Sequence, residues 1–312
     1  MNNKDFQILA LDGGGIKGIF SAAILAHLEE DLEINLINHF DLIVGTSTGG
    51  IIALGLGIGM RPREILKFYV SEGPGIFKQN MFSKMKQVLN SKYEPFVLEE
   101  SFKKYFGEKK LIDSKKRLVI PSYNLGDDDV YIFKTPHHKR LKRDFKVPIW
   151  KVAMATSAAP TYFPSFNKVD KIRLIDGGVW ANNPTLVGIT EAVSLLNVKL
   201  ETIKVLNLGT TDEIPLRPFK LDNGGFWKWR KEAVNVIMSG QSKGSHKIAV
   251  HLLGEEKVYR ISPKVPDGLF KFDNISVDRI MSKAANESRH FSPIFTKVFL
   301  NHKAKIYNPI IN

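Results

Sequence analysis

The chain has 312 residues, is 43% hydrophobic and contains no cysteine. That length buries one large α/β core or two smaller ones, and the lack of cysteine excludes disulfides, thiolate metal sites and a cysteine nucleophile. The +13 net charge is uneven: residues 1–77 carry 5 Lys+Arg against 9 Asp+Glu, residues 78–151 carry 18 against 9, and residues 152–312 carry 22 against 14. Such a basic surface suits anionic headgroups, nucleic acid or a phosphorylated ligand, although a lysine-rich exterior is the simpler account of charge alone.

Met1 to Asp5 lead into an apolar strand without the apolar stretch of a signal peptide, so the sequence reads as cytoplasmic. The spacing predicts a strand over Phe6–Leu11, a glycine loop over Gly13–Gly18, a helix over Ile19–Glu30, a strand over Phe40–Val44 and a helix running to about Gly59. Ile43 to Met60 carries no charge, but its six glycines and Thr46, Ser47 and Thr48 fit a buried strand, turn and helix rather than a membrane span. Residues 78–117 are lysine-rich with interspersed apolar positions and read as a helical insertion or lid. Further strands are expected at Arg117–Tyr123, Val130–Lys134, Ile172–Ile175, Ile203–Leu208 and Val258–Ile261. Helices are expected at Ile149–Ser157, Pro184–Leu196, Phe226–Ser239 and Val277–Ser288. Strands alternating with helices imply a mostly parallel sheet covered on both faces, which binds its ligands at the carboxyl ends of the strands.

Two glycine motifs fall at those ends. Gly45-Thr46-Ser47-Thr48-Gly49 follows a strand and opens a helix, the sequence form of a nucleophile elbow. Asp12-Gly13-Gly14-Gly15-Ile16-Lys17-Gly18 can turn its amides on an anion. Gly13, Gly15 and Gly18 also satisfy a dinucleotide pattern, with Asp31 or Glu33 as the ribose acid, but the serine elbow nearby favours an oxyanion hole formed with Thr48. Ile19 and Phe20 exclude a Walker loop. A serine needs a base, and Asp176-Gly177-Gly178 ends an apolar strand on the same rim. Asn183 before Pro184 is the natural helix cap, which leaves Asp176 free. His246, His251, His290 and His302 follow Asp176 without a recognisable motif. His137 and His138 stand beside Lys139, Arg140, Lys142 and Arg143 in what reads as a basic loop, and metal-ligand spacing is absent, so no catalytic metal or cofactor is expected.

The blocks Asp12–Gly18, Gly45–Gly49 and Asp176–Gly178, in that order and joined by Ala155-Thr156-Ser157-Ala158-Ala159-Pro160, resemble the signatures of the patatin-like phospholipases over about residues 6–210. The resemblance implies a three-layer α/β/α sandwich related to cytosolic phospholipase A2. It makes Ser47 the nucleophile, Asp176 its only partner and Gly13, Gly14 and Gly15 the oxyanion loop, with Gly45, Gly49, Gly177 and Gly178 supporting the two turns. Lys17 stands where many members have arginine. It also implies a single domain over 1–312, with the insertion at about 78–117 and a C-terminal extension over about 211–312.

The implied reaction is hydrolysis of fatty acyl esters of membrane glycerophospholipids at the inner membrane surface, with Phe226-Trp227-Lys228-Trp229-Arg230-Lys231 as an interfacial segment or, equally, a core-packed helix face. The runs Arg117–Asn124, Tyr131–His137 and Asn207–Thr211 further resemble bacterial patatin effectors of antiphage signalling, which are switched on by cyclic oligonucleotides. That likeness adds a cyclic dinucleotide second messenger as partner, allows a homo-oligomer and gives no role to a nucleic-acid polymer. The rival readings are a constitutive lipase or lysophospholipase, and a catalytically silent nucleotide- or lipid-binding module.

Overall fold

The computed structural model describes residues 5–76, 95–214, 221–225, 229, 232–266 and 276–311. Its strands are β1 (Phe6–Leu11), β2 (Leu42–Gly45), β3 (Arg117–Asn124), β4 (Asp129–Lys134), β5 (Leu174–Asp176), β6 (Ile203–Leu208), β7 (Asp212–Ile214), β8 (Val258–Ile261) and β9 (Lys264–Pro266). The helices are α1 (Gly18–Asp31), α2 (Thr48–Gly57), α3 (Pro62–Ile76), α4 (Pro95–Phe106), α5 (Ile149–Thr156), α6 (Gly178–Ala181), α7 (Thr185–Ser194), α8 (Glu232–Leu253) and α9 (Val277–Val298).

Among the described residues, seven strands form the main sheet in the order β4-β3-β2-β1-β6-β8, with β5 on β3. The pairs β3-β2, β2-β1, β1-β6 and β6-β8 are parallel. Strands buried on both faces read as continuous apolar runs, and those of this chain divide cleanly. Leu9, Leu11, Ile43 and Leu118 pack with α1, α2, α3 and α9. Ile8, Ala10, Val44 and Val119 pack with Ile189 and Ala192 of α7 and with Ala249 and Leu253 of α8. The result is the expected three-layer α/β/α sandwich with a mostly parallel sheet.

Four expectations need correction. The strand at 172–175 was expected to run parallel, but β5 is antiparallel to β3, with Ser122 opposite Asp176. β2 occupies the first part of the same edge of β3, so β5 continues the position of β2 and runs back toward its carboxyl end. α8 does not stop at Ser239: it passes Gly240 and Gly244 because Gln241, Ser242 and Ser245 bind the Asn182–Asn183 turn. α9 continues beyond Ser288 through Pro293, anchored by Phe295 and Phe299, which meet the ring of Phe40. His137 lies in the expected loop but takes no part in its basic surface. It is 3% exposed and its ring bonds Thr135 and Glu191 at 2.9 Å each.

Of the insertion expected at 78–117, residues 78–94 lie outside the described residues, and α4 supplies the rest of its helix. Phe226, Trp227, Lys228, Arg230 and Lys231 also lie outside them. Trp229 Nε1 donates to the Leu221 carbonyl at 3.0 Å, while Ile237 of α8 is 62% exposed. No helix among the described residues is long and apolar enough to cross a membrane.

Candidate active site

Only Thr46 and Ser47 separate β2 from α2, so the chain must turn within two residues. Ser47 takes φ 54° and ψ −121°, a positive φ that L side chains rarely adopt, which costs on the order of 1–3 kcal/mol. The flanking glycines make the turn feasible. A Cβ on Gly45 would stand 2.2 Å from the Gly49 carbonyl oxygen, and one on Gly49 would stand 2.2 Å from that of Leu11. Neighbouring elements hold the strained turn: Thr46 Oγ1 donates to the Ala181 carbonyl at 2.6 Å, and Ser47 N–H donates to Thr156 Oγ1 at 3.0 Å. Thr156 Oγ1 in turn donates to the Pro121 carbonyl at 2.6 Å. Thr156 belongs to the Ala155–Pro160 block, and this support is its structural work.

The reversed direction of β5 aims Asp176 at this turn. Ser47 Oγ donates to Asp176 Oδ2 at 2.6 Å, and Gly178 N–H donates to Asp176 Oδ1 at 2.7 Å. Asp176 is therefore not free of the turn that follows it, contrary to expectation: one oxygen closes the turn and the other meets the serine. Asn183 Oδ1 does accept the Thr185 N–H at the start of α7, at 3.0 Å. Burial pushes the Asp176 pKa up to about 6, because neither partner is charged and the two hydrogen bonds only partly offset desolvation. No histidine among the described residues hydrogen-bonds to Ser47 or Asp176. His302 pairs instead with Asp41, at 2.7 Å, at the amino end of the sheet.

The glycine loop lies against the elbow, since a Cβ on Gly13 would stand 3.3 Å from Ser47 Cβ. Gly13 N–H already donates to the Asn182 carbonyl at 3.0 Å, which removes it from the expected set of anion donors. Gly14, Gly15 and Thr48 N–H have no backbone or side-chain partner among the described residues, the last because it opens α2. The loop turns through a short 3-10 segment over Gly15–Lys17, where Lys17 N–H closes on the Gly14 carbonyl at 3.3 Å.

Beneath the loop, Asp12 is 2% exposed and accepts from Arg260 Nη1 and Asn207 Nδ2, both at 2.7 Å. Its pKa is still raised, because burial outweighs Arg260. Arg260 carries no sequence motif, and it becomes visible only when β8 pairs with β6 and sets Arg260 opposite Asn207.

Beside Ser47, an apolar cleft runs between α2, α3 and α4, lined by Ile51, Phe68, Tyr69, Leu98, Phe102 and Phe163. Phe68 stacks on Tyr105 at 4.1 Å and on Phe102 at 6.0 Å. Tyr69 OH accepts from Thr48 Oγ1 at 2.6 Å and donates to the Thr48 carbonyl at 2.9 Å, and burial pushes its pKa up. The arrangement comprises a serine on a strained turn, a carboxylate with raised proton affinity, three amides without a partner among the described residues and an apolar cleft. Its chemistry suits acyl transfer from an apolar ester.

Comparison with known proteins agrees. The family model for patatin-like phospholipase matches residues 9–189. The chain is 32% identical over 285 residues to a cGAMP-activated phospholipase of Pseudomonas aeruginosa, covering 90% of this chain and 85% of that protein. It is 34% identical over 238 residues to a cGAMP-activated phospholipase of Vibrio cholerae, covering 69% and 67%. Patatin-like protein 4 of Arabidopsis thaliana is 36% identical over 205 residues, covering 59% and 51%. Among solved structures, VipD from Legionella pneumophila superposes with a TM-score of 0.50 at 13% identity, covering 98% of this chain and 68% of that one, a likeness of fold.

Proposed function

The chain belongs to the patatin-like phospholipase family, and from that premise we propose that it hydrolyses fatty acyl esters of membrane phospholipids through Ser47 and Asp176, under the control of a cyclic dinucleotide. The observation that carries the catalytic half is the 2.6 Å bond from Ser47 Oγ to Asp176 Oδ2, beside three amides that have no partner among the described residues and an apolar cleft.

In the first half-reaction Ser47 Oγ attacks the ester carbonyl carbon while its proton passes to Asp176. The carbonyl oxygen becomes an oxyanion facing the Gly14, Gly15 and Thr48 amides. Collapse breaks the ester C–O bond, and the leaving alkoxide takes the proton from Asp176 to depart as the alcohol. Water then attacks the acyl-serine, gives a proton to Asp176 and releases the fatty acid as that proton returns to Ser47 Oγ. A carboxylate near its ordinary pKa of about 3.9 is a weak base. Burial between uncharged partners raises the proton affinity of Asp176 while keeping it ionised at neutral pH.

The regulatory half is supported by the relatives named cGAMP-activated phospholipases. With such a switch the enzyme would serve as the membrane-degrading effector of an antiphage signalling system, acting from the cytoplasmic side. The test is lipid mass spectrometry of mixed bacterial phospholipids incubated with the protein, with and without cGAMP and other cyclic dinucleotides. Free fatty acid and lysophospholipid should accumulate, and one cyclic dinucleotide should raise the rate at least tenfold. Equal rates with and without nucleotide would overturn the switch, and no lipid cleavage under any condition would overturn the hydrolase.

A further inference from the structure

Asn182 and Asn183 join parts of the molecule that the reaction would otherwise leave independent. The Asn182 carbonyl accepts Gly13 N–H at 3.0 Å, and its Nδ2 donates to Ser242 Oγ of α8 at 2.9 Å. Asn183 is gripped from the same helix face: its N–H donates to Gln241 Oε1 at 3.0 Å, and its carbonyl accepts from Gln241 Nε2 at 3.3 Å. Asn183 Nδ2 donates to Asn207 Oδ1 at 3.0 Å, and Asn207 Nδ2 donates to Asp12 Oδ1 at 2.7 Å. Asp12 and Gly13, the two residues from which the Gly14 and Gly15 amides extend, are therefore both tied through this pair to α8.

One atom of the pair adds nothing to stability. Asn182 Oδ1 is buried with no hydrogen-bond partner. It lies between the glycine loop and the Asp176 turn, 2.6 Å from where a Cβ on Gly13 would stand and 3.2 Å from the same point on Gly178. An unpaired buried amide oxygen costs on the order of 1–3 kcal/mol. A side chain kept at that cost, wedged between the two halves of a catalytic site, is accounted for by the geometry it imposes there.

We infer that Asn182 and Asn183 are positioning residues that hold the oxyanion amides in register with Ser47, and that α8 sets this register through Gln241 and Ser242. The inference rests on the acyl-hydrolase reading above. Oxyanion donors act on charge that develops in the transition state, so a shift of α8 changes turnover. The apolar walls of the acyl cleft, Ile51, Phe68, Leu98 and Phe102, stand on α2, α3 and α4, so the loss falls on kcat more than on KM.

The test uses the full chain with cGAMP present and a short-chain p-nitrophenyl ester, comparing the unmodified protein with a Gln241→Ala, Ser242→Ala double variant. Turnover, KM, melting temperature and the rate at which a fluorophosphonate labels Ser47 are measured together. The expected result is that kcat and the labelling rate both fall by roughly tenfold, the scale of a sub-ångström misplacement of catalytic groups, while the melting temperature drops by a few degrees and the protein stays folded at the assay temperature. Gln241→Glu keeps the acceptor for Asn183 N–H and should recover part of the loss, and Lys243→Ala, on the exposed face of α8, should match the unmodified protein. The inference is overturned if the double variant keeps full kcat, if KM rises while labelling is unaffected, or if Gln241→Glu is no better than Gln241→Ala. Absence of both turnover and labelling in the unmodified protein with cGAMP and with every other cyclic dinucleotide tested would remove the hydrolase reading and this inference with it.

Discussion

Asp176 and Glu191 are both buried carboxylates, 5% and 4% exposed, yet their proton affinities move in opposite directions. Burial is the largest influence on each and favours the neutral acid. Around Glu191 the bonds to His137 and Lys134, at 2.9 Å and 2.6 Å, outweigh it and hold the carboxyl below its ordinary range. Around Asp176 the partners are a hydroxyl and an amide, so burial prevails. Glu191 has the surroundings of a group that holds the fold together, whereas Asp176 has those of a group that exchanges protons. The two environments also sit apart, Asp176 over the carboxyl end of β2 and the Glu191 cluster beside β4 and the start of β3.

The sharpest way to break this contrast is substitution at each carboxylate and at Ser47. Ser47→Ala and Asp176→Asn should each lower lipid turnover by at least a thousandfold, and the protein should remain folded by circular dichroism. Asp176→Asn retaining near-normal rates would end the assignment of Asp176 as base. Gly14→Ala forces a Cβ to within 2.4 Å of Thr210 Oγ1 and should cost roughly a hundredfold in kcat, about the value of one oxyanion donor. A normal kcat would show that the loop amides do not act.

Glu191→Gln should leave kcat per folded molecule unchanged while lowering stability by about 3 kcal/mol, measured by urea unfolding, because it leaves His137 and Lys134 without their buried partner. A loss of kcat without a loss of stability would contradict the division of roles.

The pH dependence separates the two ends further. The Asp176 pKa is raised to about 6, so kcat/KM should rise about tenfold per pH unit below 6 and level off above it. For stability, the folded state holds the Asp176 proton more tightly than the unfolded chain, so this contribution is lost as pH rises from about 4 to about 6. Asp176→Asn should therefore raise stability near pH 8, on the order of 1–2 kcal/mol, even as it removes activity. The Glu191 cluster behaves oppositely. Its lowered carboxyl pKa, and the lowered pKa of His137, which burial keeps neutral, make its contribution present at neutral pH and lost on acidification. The smallest effect expected is at the cleft: Phe102→Ala, which removes a ring stacked on Phe68, should move acyl preference toward longer chains by severalfold in kcat/KM. An unchanged chain-length profile would place the acyl chain elsewhere.

The elbow and the glycine loop were legible in the sequence because each depends on residues next to one another, where glycine spacing and an apolar strand already dictate a sharp turn. The alternation of strands and helices sufficed for the sandwich. What the sequence hid is set by tertiary contact. Asp176 reads as the end of one more parallel strand, and only pairing with Ser122–Asn124 reverses β5 and aims the carboxylate at Ser47. Gly240 and Gly244 read as the end of a helix, but side chains between them hold Asn182 and Asn183 and carry the helix onward. Arg260 and Asn207 are distant in sequence from Asp12, and nothing local announces that they lie beneath the loop.

A covalent acyl intermediate on Ser47 is the most direct mark of the proposed chemistry. The protein is incubated with cGAMP and mixed phospholipids, quenched in acid, digested and mapped by mass spectrometry. A fatty acyl ester on the peptide carrying Ser47, absent from Ser47→Ala, is the expected result. Continued lipid cleavage with no acyl adduct at Ser47, or an adduct on another residue, would contradict it.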